Sequence, residues 1–223
     1  MTKEEFRTRL AERAGRANAA VSGAVIDALD AYYRLLARWN RTINLTALSL
    51  DPLTDEALDR LFIEPLAAAP YIREALDVTP VSVWFDLGSG GGSPAIPLKI
   101  AAPQLHLTMV ESRSRKAAFL SEAVRALNLG NAEVVNVRFE DLHAPEPAAD
   151  LVTVRAVRAD DSLNTAVAAL LNDAGVFAVF GPKPSPGEAW EVIRTVQLLP
   201  SAEASQLSLS RRVPRGTNRL TPI

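Results

Sequence analysis

From Val81 onward the chain alternates two kinds of segment, and this alternation limits the fold more than any other feature of its 223 residues. VSVWFDL, PAIPLKIAA, LHLTMVES and RKAAFLSEAVRALN open the series, and AEVVNVRF, ADLVTVRAV, DSLNTAVAALLN, GVFAVFG and GEAWEVIRTVQLL continue it. Strand alternating with helix makes βαβ units, whose parallel strands are covered by helices on both faces. Right-handed crossovers then give a doubly wound, mostly parallel α/β sheet. The preceding residues read as helical. Val25, Leu29, Tyr32, Leu36 and Trp39 recur every three or four positions, forming one apolar stripe. The stripe breaks at WNRTINLTAL, where Trp39 suits packing and Asn44 with Thr46 suits capped turns, and a shorter apolar segment, ALDRLFIEPLAAAPYI, follows. The expected organisation is an N-terminal helical extension, residues 1–78, packed on a core over residues 79–223. The last stretch, SLSRRVPRGTNRLTPI, is polar, arginine-rich and poorly patterned.

Composition narrows the chemistry. With 48% hydrophobic and 22% charged residues the chain can bury one sizeable core. The net charge of -2 gives no global signal for nucleic acid and leaves only a local basic patch. Without cysteine there is no disulfide, no thiolate zinc site and no cysteine nucleophile. The start, MTKEEFRTRLAER, has no apolar run resembling a signal peptide, and no apolar stretch reaches bilayer length. A cytoplasmic protein without membrane or metal partners is expected.

The loop DLGSGGGSPAIP follows the first strand of the alternating region, where an open α/β sheet binds its ligands. A dinucleotide site wants G-x-G-x-x-G and amide groups aimed at a pyrophosphate. Gly88 and Gly90 fit that pattern, but the third position is Ser93, and Asp86 precedes the first glycine. An anion there opposes a pyrophosphate and attracts a cation. S-adenosylmethionine carries an ammonium and a sulfonium and no phosphate, and Asp86-x-Gly88-x-Gly90-x-Gly92 resembles the signature loop of class I methyltransferases. Glu111, at the end of LTMVE, can accept ribose hydroxyls. In VRFEDL, Phe139 can lie against an adenine face while Glu140 or Asp141 faces its amine. The bland readings are a glycine turn, a solvated acid and, for Asp141, a helix cap.

The acceptor follows by elimination. Methylation at carbon 5 of a pyrimidine usually needs a thiolate, which is absent. Exocyclic amines commonly need an Asn/Asp-Pro-Pro-aromatic tetrapeptide, where this chain reads Arg155-Ala156-Val157-Arg158. A ring nitrogen with a free lone pair, such as guanine N7, needs alignment more than proton removal. His106 and His143 read as peripheral.

YRLLARWNRTINLTAL, DLGSGGGSPAIPLKI, VESRSRKAAFL, VRFED, and VRAV followed by FGPK together resemble the small-subunit ribosomal RNA guanine-N7 methyltransferase family, also called the glucose-inhibited division protein B family. The likeness spans about residues 30 to 185. It implies a class I sheet with a helical extension and S-adenosylmethionine-dependent methylation of a guanine N7 in 16S rRNA or the 30S subunit. By matched position, Gly88, Ser93, Phe139, Glu140 and Arg155 would contact the cofactor, beside Asp86, Gly90 and Glu111, with Arg155 between cofactor and target as the catalytic candidate. Arg60, Arg115, Lys116 and Lys183 would contact RNA. The chain departs from the family pattern in places. Arg60-Leu61 replaces Arg-His, Glu64 stands where Asp is usual, and Ser93-Pro94-Ala95 replaces Phe-Pro-Gly or Leu-Pro-Gly. Val154 precedes Arg155-Ala156 where Ser or Thr is common, Pro182 separates Gly181 from Lys183, and an arginine-rich tail replaces a hydrophobic final strand. The other readings are methylation of a different RNA or a small molecule, and a homologue that keeps the pocket without transfer. Arg9, Arg13 and Arg16 share one helical face and read as solvated, while Arg113 joins Arg115 and Lys116 at the active rim. The tail arginines Arg211, Arg212, Arg215 and Arg219 are open between an RNA clamp and disorder.

Overall fold

A computed structural model describes residues 1–76, 82–142, 148–158, 160–182, 189–200 and 202–213. Local capping sets the first helices. Thr2 and Glu5 form a reciprocal capping box that starts α1 (Lys3–Arg16), and Ser22 accepts from Val25 N to start α2 (Gly23–Asn40). Thr54 caps α3 (Asp55–Leu58), which runs through a π-helical turn (Asp59–Ile63) into α4 (Glu64–Leu76). The apolar stripe of α2 faces inward as its spacing requires: Leu29, Tyr32 and Leu36 are buried. Phe6 stacks on Tyr33 at 5.2 Å, and Phe62 meets Tyr32 edge-on at 5.6 Å. This apolar cluster continues without a break into Trp84, Ile96, Phe119 and Leu207, so helices and sheet share one core. The arginine face of α1 is not simply solvated. Arg9 reaches Asp55 at 2.6 Å, and Arg13 reaches Asp59 at 2.5 Å and Asp55 at 3.0 Å. Acids of the α3 turn therefore dock α1.

Among the described residues seven strands form one sheet: β1 (Val83–Leu87), β2 (His106–Val110), β3 (Ala132–Val135), β4 (Ala149–Arg155), β5 (Leu171–Phe180), β6 (Trp190–Gln197) and β7 (Gln206–Arg212). Helices α5 (Ala95–Ala101), α6 (Ser114–Ala126) and α7 (Asp161–Leu170) make the crossovers. The order is β3-β2-β1-β4-β5-β7-β6, with β7 antiparallel to both neighbours and the first five strands parallel. This is the doubly wound class I methyltransferase sheet that the resemblance implied. Register aligns the strand ends: Leu87 lies beside Val110 and Val154, and Val110 beside Val135. Gly88, Glu111 and Arg155 therefore leave the sheet at one edge.

The alternation stops after β5. Trp190–Gln197, dense in β-branched Val192, Ile193, Thr195 and Val196, is a strand, and strand follows strand from there. SLSRR, which the sequence left unpatterned, lies within β7. Leu207, Ser208, Leu209 and Ser210 are all buried, because β7 is paired on both sides and covered on both faces. Small serines fit on the second buried face, so the Leu-Ser alternation of residues 207–210 marks no solvent-facing side. The region following β3 also differs, since Asn136–Arg138 leave the sheet before a 3₁₀ turn, Phe139–Asp141. His106 opens β2 and is exposed, while His143, Lys183, Arg215 and Arg219 lie outside the described residues. No helix among the described residues is long and apolar enough to cross a membrane.

Candidate functional site

The loop after β1 turns sharply, and at two of its glycines any side chain would be both strained and crowded. Gly88 has φ 74°, and a Cβ there would lie 2.9 Å from Val157 Cγ2. Gly92 has φ 88°, and a Cβ would lie 2.5 Å from Ile96 Cδ1. The turn is closed largely by its own amide groups. Gly88 N and Ser89 N donate to Val110 O at 2.9 and 3.1 Å, and Gly92 N donates to Ser89 O at 2.7 Å. Gly90 N donates to Glu111 Oε2 at 2.9 Å. Tyr32, fully buried on α2, donates its hydroxyl to Gly91 O at 2.6 Å and fixes the loop from the helical side.

Two acids attend this loop. Glu111 is 6% exposed and also accepts from Arg113 N at 2.8 Å, so each carboxylate oxygen holds one backbone amide and keeps a lone pair. Asp86 lies within β1 and is 1% exposed. Trp84 Nε1 donates to Thr153 Oγ1 at 2.8 Å, which leaves the threonine proton for Asp86 Oδ1. Burial pushes the Asp86 carboxyl up to about 6.

A cavity of about 470 Å³ opens above the loop, within the range of small-molecule sites. Gly88–Gly91, Ser93, Glu111 and Arg155–Val157 line it from the sheet edge, and Leu36, Leu45–Leu48, Arg60 and Leu61 from the helical segments. Arg113 and Lys116 complete the lining. Asn40 orients the Leu45–Leu48 wall by accepting from Leu45 N at 2.9 Å and Thr46 N at 3.0 Å.

Arg155 ends β4 in a buried cluster. Its Nη2 donates to Glu64 Oε2 at 2.8 Å, and its Nη1 donates to Ser93 Oγ at 3.1 Å and to the carbonyl of Arg60. The guanidinium lies over the Phe180 ring, 4.9 Å from its centroid. Burial lowers Arg155 to about 10, opposed by Glu64, and burial raises Glu64, opposed by Arg155. The carbonyls in this cluster have a sequence cause. Pro65 has no N–H, so it cannot bond Leu61 O four residues back or Arg60 O five back in the π register. Ser93 Oγ donates to Leu61 O at 2.9 Å and Arg155 takes Arg60 O, filling both places.

The structure thus brings Gly88, Gly90, Ser93, Glu111, Arg155, Arg60 and Lys116 around one cavity. Asp86 lies beneath the loop and does not line it, and Arg115 is exposed nearby on α6. Phe139 is half-buried against a second apolar cluster, and Glu140 is exposed and paired with Arg138 at 3.1 Å; neither is among the cavity walls. Sequence reasoning passed over Leu45–Leu48, having assigned WNRTINLTAL wholly to packing and caps. That assignment holds for Trp39, which meets Phe119 edge-on at 5.9 Å, and for Thr46, which accepts from Leu48 N. The residue organising the turn is Asn40, however, rather than Asn44. The likeness of this stretch to a family motif was the signal that it does more than pack.

A model of the family described as rRNA small subunit methyltransferase G matches residues 25–206. The chain belongs to this family. The methyltransferase G protein of Xanthomonas euvesicatoria pv. vesicatoria is 44% identical over 157 residues, 70% of this chain and 62% of that protein. That of Xanthomonas campestris pv. campestris is 40% identical over 183 residues, 82% and 74% of the two lengths. Against the first relative the chain spans under two thirds of the length. A mutant of MtNAS, among solved structures, shares the fold with TM-score 0.55 at 13% identity, over 82% of this chain and 71% of that one. The Glu64 carboxylate spans 91 positions of sequence to reach Arg155.

Proposed function

We propose that this chain transfers a methyl group from S-adenosylmethionine to N7 of a guanine in 16S rRNA, acting in the cytoplasm on the small ribosomal subunit. The observation that carries the reading is the hydrogen bonding of the glycine loop. Four of its N–H groups, at Gly88, Ser89, Gly90 and Gly92, are already engaged and so are not free to hold a pyrophosphate. What remains is close-approach backbone in a cavity of about 470 Å³, with Glu111 at its wall and the Asp86 charge beneath it. That donor set fits a cation-bearing nucleoside. S-adenosylmethionine supplies, when bound, a methyl group on a sulfonium cation.

Gly88, Gly90 and Ser93 would hold the methionine part with Asp86 acting electrostatically. Glu111 would accept ribose hydroxyls through its remaining lone pairs, and Phe139 and Glu140, after β3, are assigned to the adenine end. Arg155 stands between cofactor and base. Arg60, Arg115, Lys116 and Lys183 are assigned to RNA. Membership of the methyltransferase G family supports the substrate, and the absence of cysteine fits an acceptor that needs no covalent nucleophile. Catalysis by alignment and fixed electrostatics is then sufficient.

The test is transfer from radiolabelled S-adenosylmethionine to 30S subunits lacking N7-methylguanine, beside naked 16S rRNA. Label mapping to one guanine N7, and lost with Arg155→Ala, is the expected result. No label with either substrate, while S-adenosylhomocysteine still binds, overturns the rRNA assignment.

A further inference from the structure

The Arg155 guanidinium has five N–H groups, and three of them are held by Arg60 O, Ser93 Oγ and Glu64. Nε–H and the second Nη2 N–H have no partner among the described residues, and Arg155 lines the cavity. A guanine presents two acceptors on this edge, O6 and N7. The N7 lone pair must face the methyl group, so only O6 is available to a donor. As the N7–C bond forms from that lone pair, the C–S bond breaks with its electrons left on sulfur, and positive charge moves to the guanine ring without any proton transfer. A bare guanidinium beside that ring would oppose the change; a guanidinium paired with a carboxylate would not.

Resting on the proposed guanine acceptor, we propose that Glu64 is the positioning residue of this site: it holds Arg155 at the cavity wall as a charge-compensated donor to the guanine. The structure around Glu64 is built for this. Its carboxylate is 5% exposed and 2.8 Å from Arg155 Nη2. The proline that follows it frees the Arg60 and Leu61 carbonyls that complete the cradle. Phe180 closes one face of the guanidinium, so its plane and reach are set before a base arrives. Other charges near the couple are Arg60, Asp59 and, across the sheet, Asp86. None of these is hydrogen-bonded to the guanidinium through its side chain.

The experiment compares wild type, Glu64→Gln and Glu64→Asp for kcat and KM on 30S subunits and for S-adenosylhomocysteine affinity. In parallel, melting temperatures are measured for Glu64→Gln and Arg155→Gln, singly and combined. Glu64→Gln keeps the size and loses the charge, and is expected to lower kcat about tenfold or more, with KM and product affinity within about threefold. Glu64→Asp, restoring the charge, is expected to recover part of that loss. In the melting cycle the double variant should lose less than the sum of the single losses, because the buried charge left unpaired by one substitution is removed by the other. A kcat unchanged in Glu64→Gln, or a loss shared equally by KM and product affinity, would overturn the assignment. A wild type that methylates no guanine sinks the proposed function instead, and the melting cycle then decides the couple, strict additivity overturning it.

Discussion

Asp86 keeps a carboxylate 1% exposed under the glycine turn, with the Thr153 hydroxyl as its donor. Its folded-state value of about 6 lies above the ordinary value for an Asp. Between the two the folded protein binds a proton more readily than the unfolded chain, so stability falls as pH rises through that window and then levels above about 6. Asp86→Asn removes this cost. Its melting temperature relative to wild type should therefore rise between pH 4.5 and 7.5, and a pH-independent difference would disprove the burial account. The ionised form is also the one that attracts an ammonium. Calorimetry should show wild-type affinity for S-adenosylhomocysteine weakening below about pH 6, with little pH dependence in the variant. The neighbouring glycines separate strain from crowding. Gly90→Ala meets only a φ of 54°, its nearest contact being 3.7 Å away, and should cost about 1 kcal/mol. Gly92→Ala adds contacts of 2.5 Å with Ile96 and 3.3 Å with Leu120, and should cost about 2–4 kcal/mol by thermal melting.

Among the elements, β7 shows where pattern reading stops. Leu209 is fully buried between β5 and β6, and Leu209→Ala should cost about 2–5 kcal/mol in denaturant unfolding. A loss under about 1 kcal/mol would mean the strand is peripheral. The short Leu-Ser alternation before Arg211 gave little sign of this, because its serine face is buried as well as its leucine face and two arginines follow it. The parallel half of the sheet was legible for the opposite reason. Its strands are apolar runs separated by helices of clear period, and the demand for positive φ at Gly88 and Gly92 leaves glycine as a visible trace. The cavity was only half legible. Residues at strand ends could be read from the alternation, whereas the Leu45–Leu48 wall and the Glu64–Arg155 couple come from contacts that no local pattern encodes. Pro65 lies between these cases, plain in the sequence but informative only once Ser93 and Arg155 are seen to take the carbonyls it cannot bond.

The molecule as a whole has a net charge of -2, so attraction to RNA has to be local. Arg60, Arg113 and Lys116 line the cavity and Arg115 is exposed beside them, whereas most basic residues of α1 are neutralised by Asp27, Asp55 and Asp59. A cluster confined to the mouth of the site predicts few phosphate contacts, each releasing its counterion. Equilibrium binding to 30S subunits, measured across a salt series, should give a log–log slope that decreases by about 0.7 for each contact removed. Replacing Arg113, Arg115 and Lys116 together by Ala should therefore flatten the slope by about 2. Lys3→Ala, which removes a cation already paired with Asp27 at 3.0 Å, should leave it unchanged. Equal slopes for the triple variant and wild type would place the RNA contacts elsewhere on the chain. A flattened slope with sequence-independent weakening would assign these three residues to phosphates, leaving the choice of base to Arg155 and the groups that hold it.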